Sequence, residues 1–126
     1  MEKPEKISTQ LPSAGLKNLA KLEAFRHFPV NWNGNGALPF LELQIEKAKS
    51  ILFDLPKQPE IFPTARQSVQ FEYEKENGDY LEFEIFEDSI SCFESISGSE
   101  TERQIDESEI FSIVNNFYAS DRNRRF

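Results

Sequence analysis

Two segments in the first half of the chain carry apolar residues at the spacing of an α-helix. The first runs from Leu16 to Phe28 and is ended by Pro29, and its apolar positions are Leu16, Leu19, Ala20, Leu22, Phe25 and Phe28. The second starts at Pro39, which suits a first helical turn because it has no N–H to leave unpaired, and it ends before Pro56. Its predicted buried face consists of Leu41, Ile45, Ala48, Leu52 and Leu55.

After residue 66 the apolar residues alternate with polar ones, as in half-buried β-strands. The pattern predicts a hairpin with strands at residues 69–74 and 81–86 around the loop Glu76-Asn77-Gly78. A two-residue turn would set Tyr73 opposite Glu82, whereas a three-residue loop with a left-handed glycine sets Tyr73 opposite Leu81 and keeps apolar side chains on one face. We therefore predict the longer loop, with Phe71 opposite Phe83 and Val69 opposite Ile85.

The rest of the chain predicts further strands and a last helix. Ile90–Ile96 is a third strand whose buried face is ambiguous, and a short fourth strand around Glu102–Ile105 is left open. The proline-rich residues 56–63 are expected to run extended over the surface. Asp106 and Glu109 resemble a capping box, and the helix that follows has the apolar face Ile110, Phe111, Val114, Phe117 and Tyr118. The predicted fold class is α+β: a three- or four-stranded antiparallel β-meander with two N-terminal helices and one C-terminal helix packed on one face.

A chain of 126 residues has the size of one domain. We expect a flexible leader at residues 1–15, the domain at 16–120, and a basic tail at 121–126 with Arg122, Arg124 and Arg125. The N-terminus lacks the apolar core of a signal peptide, and no apolar run approaches the roughly 20 residues needed to span a bilayer. The expected location is the cytoplasm, without membrane contact.

The net charge of −8 is concentrated in one segment. Residues 67–120 hold 14 carboxylates against only Lys75 and Arg103, a net charge of −12. Phosphates would be repelled, so direct nucleic-acid binding by this segment is not expected. The acids either serve a basic partner or keep a sheet soluble.

No catalytic set, cofactor motif or metal site is predicted. His27 is the only histidine, and Cys92 is the only cysteine, so a multi-histidine or multi-cysteine metal site is excluded. We interpret His27 as a histidine on a helix surface and Cys92 as a packing residue within a strand.

The hairpin carboxylates form the first candidate binding site. On the predicted register Glu72 faces Glu82, and Glu84 and Glu74 lie on the same face, opposite the core. Like charges directly opposite each other across strands are destabilising. A basic protein partner would offset that cost, although a solvated acidic surface is also common.

The loop Trp32-Asn33-Gly34-Asn35-Gly36-Ala37 forms the second candidate site. Trp32, Asn33 and Asn35 would supply a flat ring and exposed amide groups to a peptide or a small polar ligand. Alternatively, Trp32 plugs the core between the two helices, which is the more common arrangement for a lone Trp beside turn residues.

The Trp32 segment also carries a resemblance. Trp32-Asn33-Gly34-Asn35-Gly36-Ala37-Leu38-Pro39, followed by a helix, by Pro59-Glu60-Ile61-Phe62-Pro63-Thr64 and by an acidic hairpin, resembles a group of small uncharacterised bacterial proteins. That group has a Trp-Asp/Asn-Gly-x-Gly-Ala-x-Pro start and a Pro-Thr element before a strand. Ala65–Ser68 and Tyr73 depart from its pattern of an early glycine and a strand-end Trp. The resemblance implies one intact domain and indicates no particular function.

Three functions follow as hypotheses. The first is a non-enzymatic binding protein, similar to antitoxins, immunity proteins or inhibitors, that engages a basic protein through its acidic sheet face. The second is a small-ligand-binding protein or enzyme with its site at the Trp32–Ala37 loop. The third is a structural or assembly subunit that forms a homodimer through sheet edges or Phe-rich faces.

Overall fold

The structure, a computed structural model, describes residues 13–123. Three helices and five strands follow one another in the order α1 (Ser13–Arg26), α2 (Glu42–Phe53), β1 (Glu60–Thr64), β2 (Ser68–Glu74), β3 (Tyr80–Ile85), β4 (Ile90–Ile96), β5 (Ser99–Ile105) and α3 (Ile110–Asn123). A 3-10 turn at Glu107–Glu109 leads into α3. Residues 1–12 of the predicted leader and 124–126 of the predicted tail lie outside the described residues, whereas residues 13–15 belong to α1 and residues 121–123 to α3.

The five strands form one antiparallel sheet in the order β1-β2-β3-β4-β5. The predicted hairpin register is confirmed, since Tyr73 pairs with Leu81 and Phe71 with Phe83. Gly78 has a φ of 94°, and its N–H donates to the carbonyl of Lys75 across 2.9 Å. The three-residue loop therefore forms as predicted, because it keeps the apolar side chains of both strands on the core face.

The sheet has five strands rather than three or four, since both edge strands are longer or more regular than expected. The extended segment after Pro59 pairs with β2 as β1, an edge position that tolerates Pro63. The open fourth strand begins at Ser99, because Ser97 and Gly98, with φ angles of 51° and 83°, make a two-residue turn directly after β4.

One hydrophobic cluster joins all three helices to the inner face of the sheet, as predicted. On β4 this face carries Ile90 and Cys92, which resolves the ambiguity of that strand. Leu16 and Phe111 were predicted to be buried but are 60% and 51% exposed. The buried positions are Gly15, Asn18, Leu22 and Phe25 on α1 and Ile110, Val114 and Phe117 on α3, so Leu16 and Phe111 lie off the faces that pack on the core.

Helix α2 begins at Glu42, three residues later than predicted, with Leu41 in the extended N-cap position. The fully buried amide of Gln44 explains this start. Its Oε1 accepts from the N–H of Leu41 at 3.3 Å, and its Nε2 donates to the carbonyls of Gln67 at 2.7 Å and Ile85 at 3.0 Å. Gln44 thus ties the first turn of α2 to the ends of two strands.

Directly after β5 the predicted capping box forms. The N–H of Asp106 donates to the Glu109 carboxylate across 2.8 Å, and the Asp106 carboxylate accepts from Ser108. It opens the 3-10 turn, and α3 follows directly.

Candidate functional site

The outer face of the sheet, opposite the core, carries a line of carboxylates. Cross-strand pairing places Glu60 beside Glu72, Glu72 beside Glu82, Glu82 beside Phe93, and Phe93 beside Glu102. We call these five residues the carboxylate row. Neighbouring strands are about 4.8 Å apart, so the row crosses the whole sheet at nearly right angles to its strands.

Among residues 13–119, whose side chains the structure describes, no lysine or arginine forms an ion pair with a carboxylate of this row. The helical side of the domain differs. There, Arg26 contacts Glu23, Glu42 and Glu46, and Lys49 contacts Glu23 across 2.5 Å. These cations hold the pKa of Glu23 at about 2, with the hydrogen bond from Arg26 as the largest cause. The carboxylates between α1 and α2 are therefore paired with cations, whereas those of the carboxylate row are not.

Glu82 lies in the middle of the row and is half-buried. Burial raises its pKa, and the negative charges of Glu72, Glu84 and Glu102 raise it further. The hydroxyl of Tyr80 donates to Glu82 across 2.7 Å and opposes that shift. A cation close to Glu82 would therefore stabilise its ionised carboxylate.

Aromatic rings accompany the acids. Tyr80 and Phe93 are half-buried on the outer face, and their ring centroids lie 6.1 Å apart in an edge-to-face arrangement. Phe93 occupies the one position in the row between Glu82 and Glu102 that has no carboxylate. A ring face flanked by carboxylates suits a guanidinium group, which stacks on the ring while it bonds to the acids.

Glu84 already has partners of its own. It is 8% exposed, its carboxylate accepts from the Ser68 hydroxyl at 2.6 Å, and the Arg66 Nε lies 3.3 Å away. The Arg66 guanidinium also lies over the Phe86 ring, 5.6 Å from its centroid. The fourth predicted residue, Glu74, is exposed beside Tyr80 at the end of β2. The structure therefore brings the four predicted acids onto one face, with Glu84 in a structural pair.

Trp32 packs into an aromatic cluster. Its ring centroid lies 5.1 Å from that of Phe28 and 5.8 Å from that of Phe40, and Phe25 stacks on Phe40 at 5.7 Å. Its indole N–H donates to the carbonyl of Leu38 across 3.1 Å. This geometry favours the plug between α1 and α2 over a ring offered to a ligand.

The loop uses its own amide groups. Asn33 Oδ1 accepts from the N–H groups of Asn35 at 2.9 Å and Ala37 at 3.1 Å, and Asn31 Oδ1 accepts from Gly36 at 2.6 Å. Asn31 itself takes a left-handed φ of 65°. The side chain of Asn33 therefore holds the turn together, while that of Asn35 is exposed.

The remaining candidates have structural positions. Cys92 is buried in the core, and burial raises the pKa of its thiol to about 11. His27 is exposed directly after α1. Residues 13–123 hold no group of three or more potential metal ligands and no helix long and apolar enough to cross a membrane.

Sequence reasoning missed the row as a whole. Glu60 lies between two prolines, and Glu102 lies in a strand without apolar alternation, so neither is marked by the hydrophobic pattern. Phe93 lies in the strand whose buried face was ambiguous, and Tyr80 precedes the predicted strand at residues 81–86, so neither was assigned to the outer face. Only the order and register of all five strands place these residues beside Glu72 and Glu82.

Comparison of the chain with models of protein families, with curated proteins and with solved structures gave no match.

Proposed function

We propose that this domain is a small non-enzymatic binding protein whose outer sheet face captures a basic segment of a partner protein, as antitoxins, immunity proteins and inhibitors do. The observation that supports it is the carboxylate row, four acids aligned across the sheet with no ion-pairing cation from residues 13–119. Aligned like charges destabilise the free domain, and a bound cation relieves that repulsion. Contacts with the partner and the relief of this repulsion would then both stabilise the complex.

Arginine is the side chain that fits this face best. Its planar guanidinium would stack on Phe93 and donate to Glu82 on one side and Glu102 on the other. The domain contains a smaller version of this arrangement, in which Arg66 lies over Phe86 and beside Glu84. The intramolecular arrangement supports arginine recognition at this surface by the same combination of ring and carboxylate.

Long-range attraction is the second contribution. The segment with a net charge of −12 would accelerate encounters with a basic partner, and salt would slow them. Such steering suits an inhibitor that must intercept a basic toxin or nuclease quickly. The cytoplasm is the expected compartment for that task.

Nuclear magnetic resonance tests the location of binding. The ¹⁵N- and ¹³C-labelled protein is titrated with a capped peptide in which arginine alternates with valine, and the same sequence with glutamate for arginine is the control. We expect the arginine peptide to shift the ring signals of Tyr80 and Phe93 more than those of Phe71 and Phe83, which face the core. The shifts should shrink when salt rises from roughly 50 mM to roughly 300 mM. Shifts centred on the Trp32 loop would contradict the proposal.

A further inference from the structure

The last strand of the sheet has an open edge. Within residues 13–123 no strand pairs with the far side of β5, and six of its seven residues are exposed. In an antiparallel ladder, about every second residue of an edge strand points its N–H and C=O away from its neighbour. β5 therefore presents backbone donors and acceptors along its whole length.

The opposite edge of the sheet is closed. Helix α1 lies along β1, where the Lys21 ammonium donates to the carbonyl of Ile61 at 3.0 Å and Asn18 donates to that of Pro59 at 2.9 Å. In addition, Pro63 has no N–H to donate to an added strand. A chain that adds to this sheet would therefore add at β5.

The charged side chains of β5 determine which kind of strand can pair with it. A second copy could pair with β5 only in registers centred on one residue facing itself. A register centred on Glu102 sets that acid against its copy, one centred on Thr101 sets Glu100 against Glu102, and one centred on Arg103 sets two arginines together. Each places like charges opposite each other, which is unfavourable. A basic strand meets Glu100 and Glu102 without this penalty.

We infer that the basic partner segment binds as a sixth strand alongside β5. This inference rests on the proposed function and adds how the partner is held. Glu100 and Glu102 point to the outer face, so alternate side chains of the added strand would lie about 5 Å from them. The added strand extends the carboxylate row by one position, which a cation fills. Its intervening side chains face Arg103 and are uncharged, so the recognised pattern is basic residues at every second position.

Backbone methylation of the capped arginine–valine peptide tests whether the peptide binds as a strand. One isomer carries N-methyl groups on its arginines and the other on its valines, so each isomer blocks one edge of the strand at the same charge. Affinity is measured by fluorescence anisotropy. We expect one isomer to bind at least roughly tenfold more weakly than the other, the effect of losing one or two hydrogen bonds. Hydrogen exchange at β5 amides should slow in the complex with the unmethylated peptide.

A matched pair of protein variants tests at which edge of the sheet the peptide binds. Glu60 and Glu102 are both exposed and lie at opposite ends of the carboxylate row. E102K should weaken peptide binding several-fold more than E60K, although both change the charge equally. Circular dichroism confirms that each variant is folded.

The outcomes separate the two proposals. Equal binding of the two methylated isomers, with shifts still on Tyr80 and Phe93, would overturn strand addition and leave the acidic face as the binding site. Failure of the unmethylated peptide to bind at low salt would overturn both. A concentration-dependent dimer in sedimentation, with β5 amides protected in the absence of peptide, would assign the edge to a second copy instead.

Discussion

Replacement of Trp32 by alanine tests whether the glycine- and asparagine-rich loop is held by its aromatic ring. The ring is half-buried, between Phe28 at 5.1 Å and Phe40 at 5.8 Å. Removing a fully buried Trp costs about 3–5 kcal/mol, and half of that plus the lost aromatic pairs predicts a loss of about 2–3 kcal/mol for W32A. The measurement is urea unfolding followed by far-ultraviolet circular dichroism, because the variant loses the only Trp.

Two further variants divide that loss into its parts. W32F keeps a ring against Phe28 and Phe40 but removes the hydrogen bond to the Leu38 carbonyl, so it should cost about 1 kcal/mol. N35A removes an exposed amide and should stay within about 0.5 kcal/mol of the wild type. A W32A protein as stable as the wild type would refute a structural role for the Trp32 ring and would favour the loop as a ligand site.

Three other predictions concern side chains that are buried or half-buried. Q44L leaves the carbonyls of Gln67 and Ile85 without their donor and should lower the free energy of unfolding by about 3 kcal/mol in a urea titration. Because the pKa of Glu82 is raised in the folded state, the wild type loses stability as pH rises from 4.5 through that raised pKa. E82Q should therefore gain more over the wild type at pH 7 than at pH 4, and an equal gain at both would contradict the shift. The Cys92 thiol should react with iodoacetamide only in unfolded molecules, so labelling should be slow in the native protein and speed up with urea, and fast labelling of native protein would show that the thiol is accessible.

The hairpin could be predicted from sequence because its apolar residues alternate without a gap. Only one loop length keeps Tyr73, Leu81, Phe71 and Phe83 on the same face, so register followed from burial alone. The helices were predicted from apolar residues at helical spacing, with errors at their ends. The start of α2 was misplaced because Gln44, a polar residue, is buried there and determines where the first turn closes.

The outer face could be predicted only in part. Burial does not constrain it, so the hydrophobic pattern carries no information about which of its side chains are neighbours across strands. Strand β5 has polar residues on both faces, six of its seven residues are exposed, and its length depends on the two-residue turn at Ser97 and Gly98. The role of Trp32 was likewise undecided, because composition does not distinguish a ring packed on Phe28 from a ring offered to a ligand.

The central claim is that the outer face, and not negative charge in general, recognises a basic segment. Its most direct test compares two triple variants of equal net charge in their affinity for the arginine–valine peptide. One carries E72Q, E82Q and E102Q on the outer face, and the other carries E76Q, E87Q and D88N in exposed turns. We predict that the first loses most of the affinity and that the second stays within about threefold of the wild type, since exposed charges away from the site contribute only through screened attraction. Equal losses in the two variants would contradict the account.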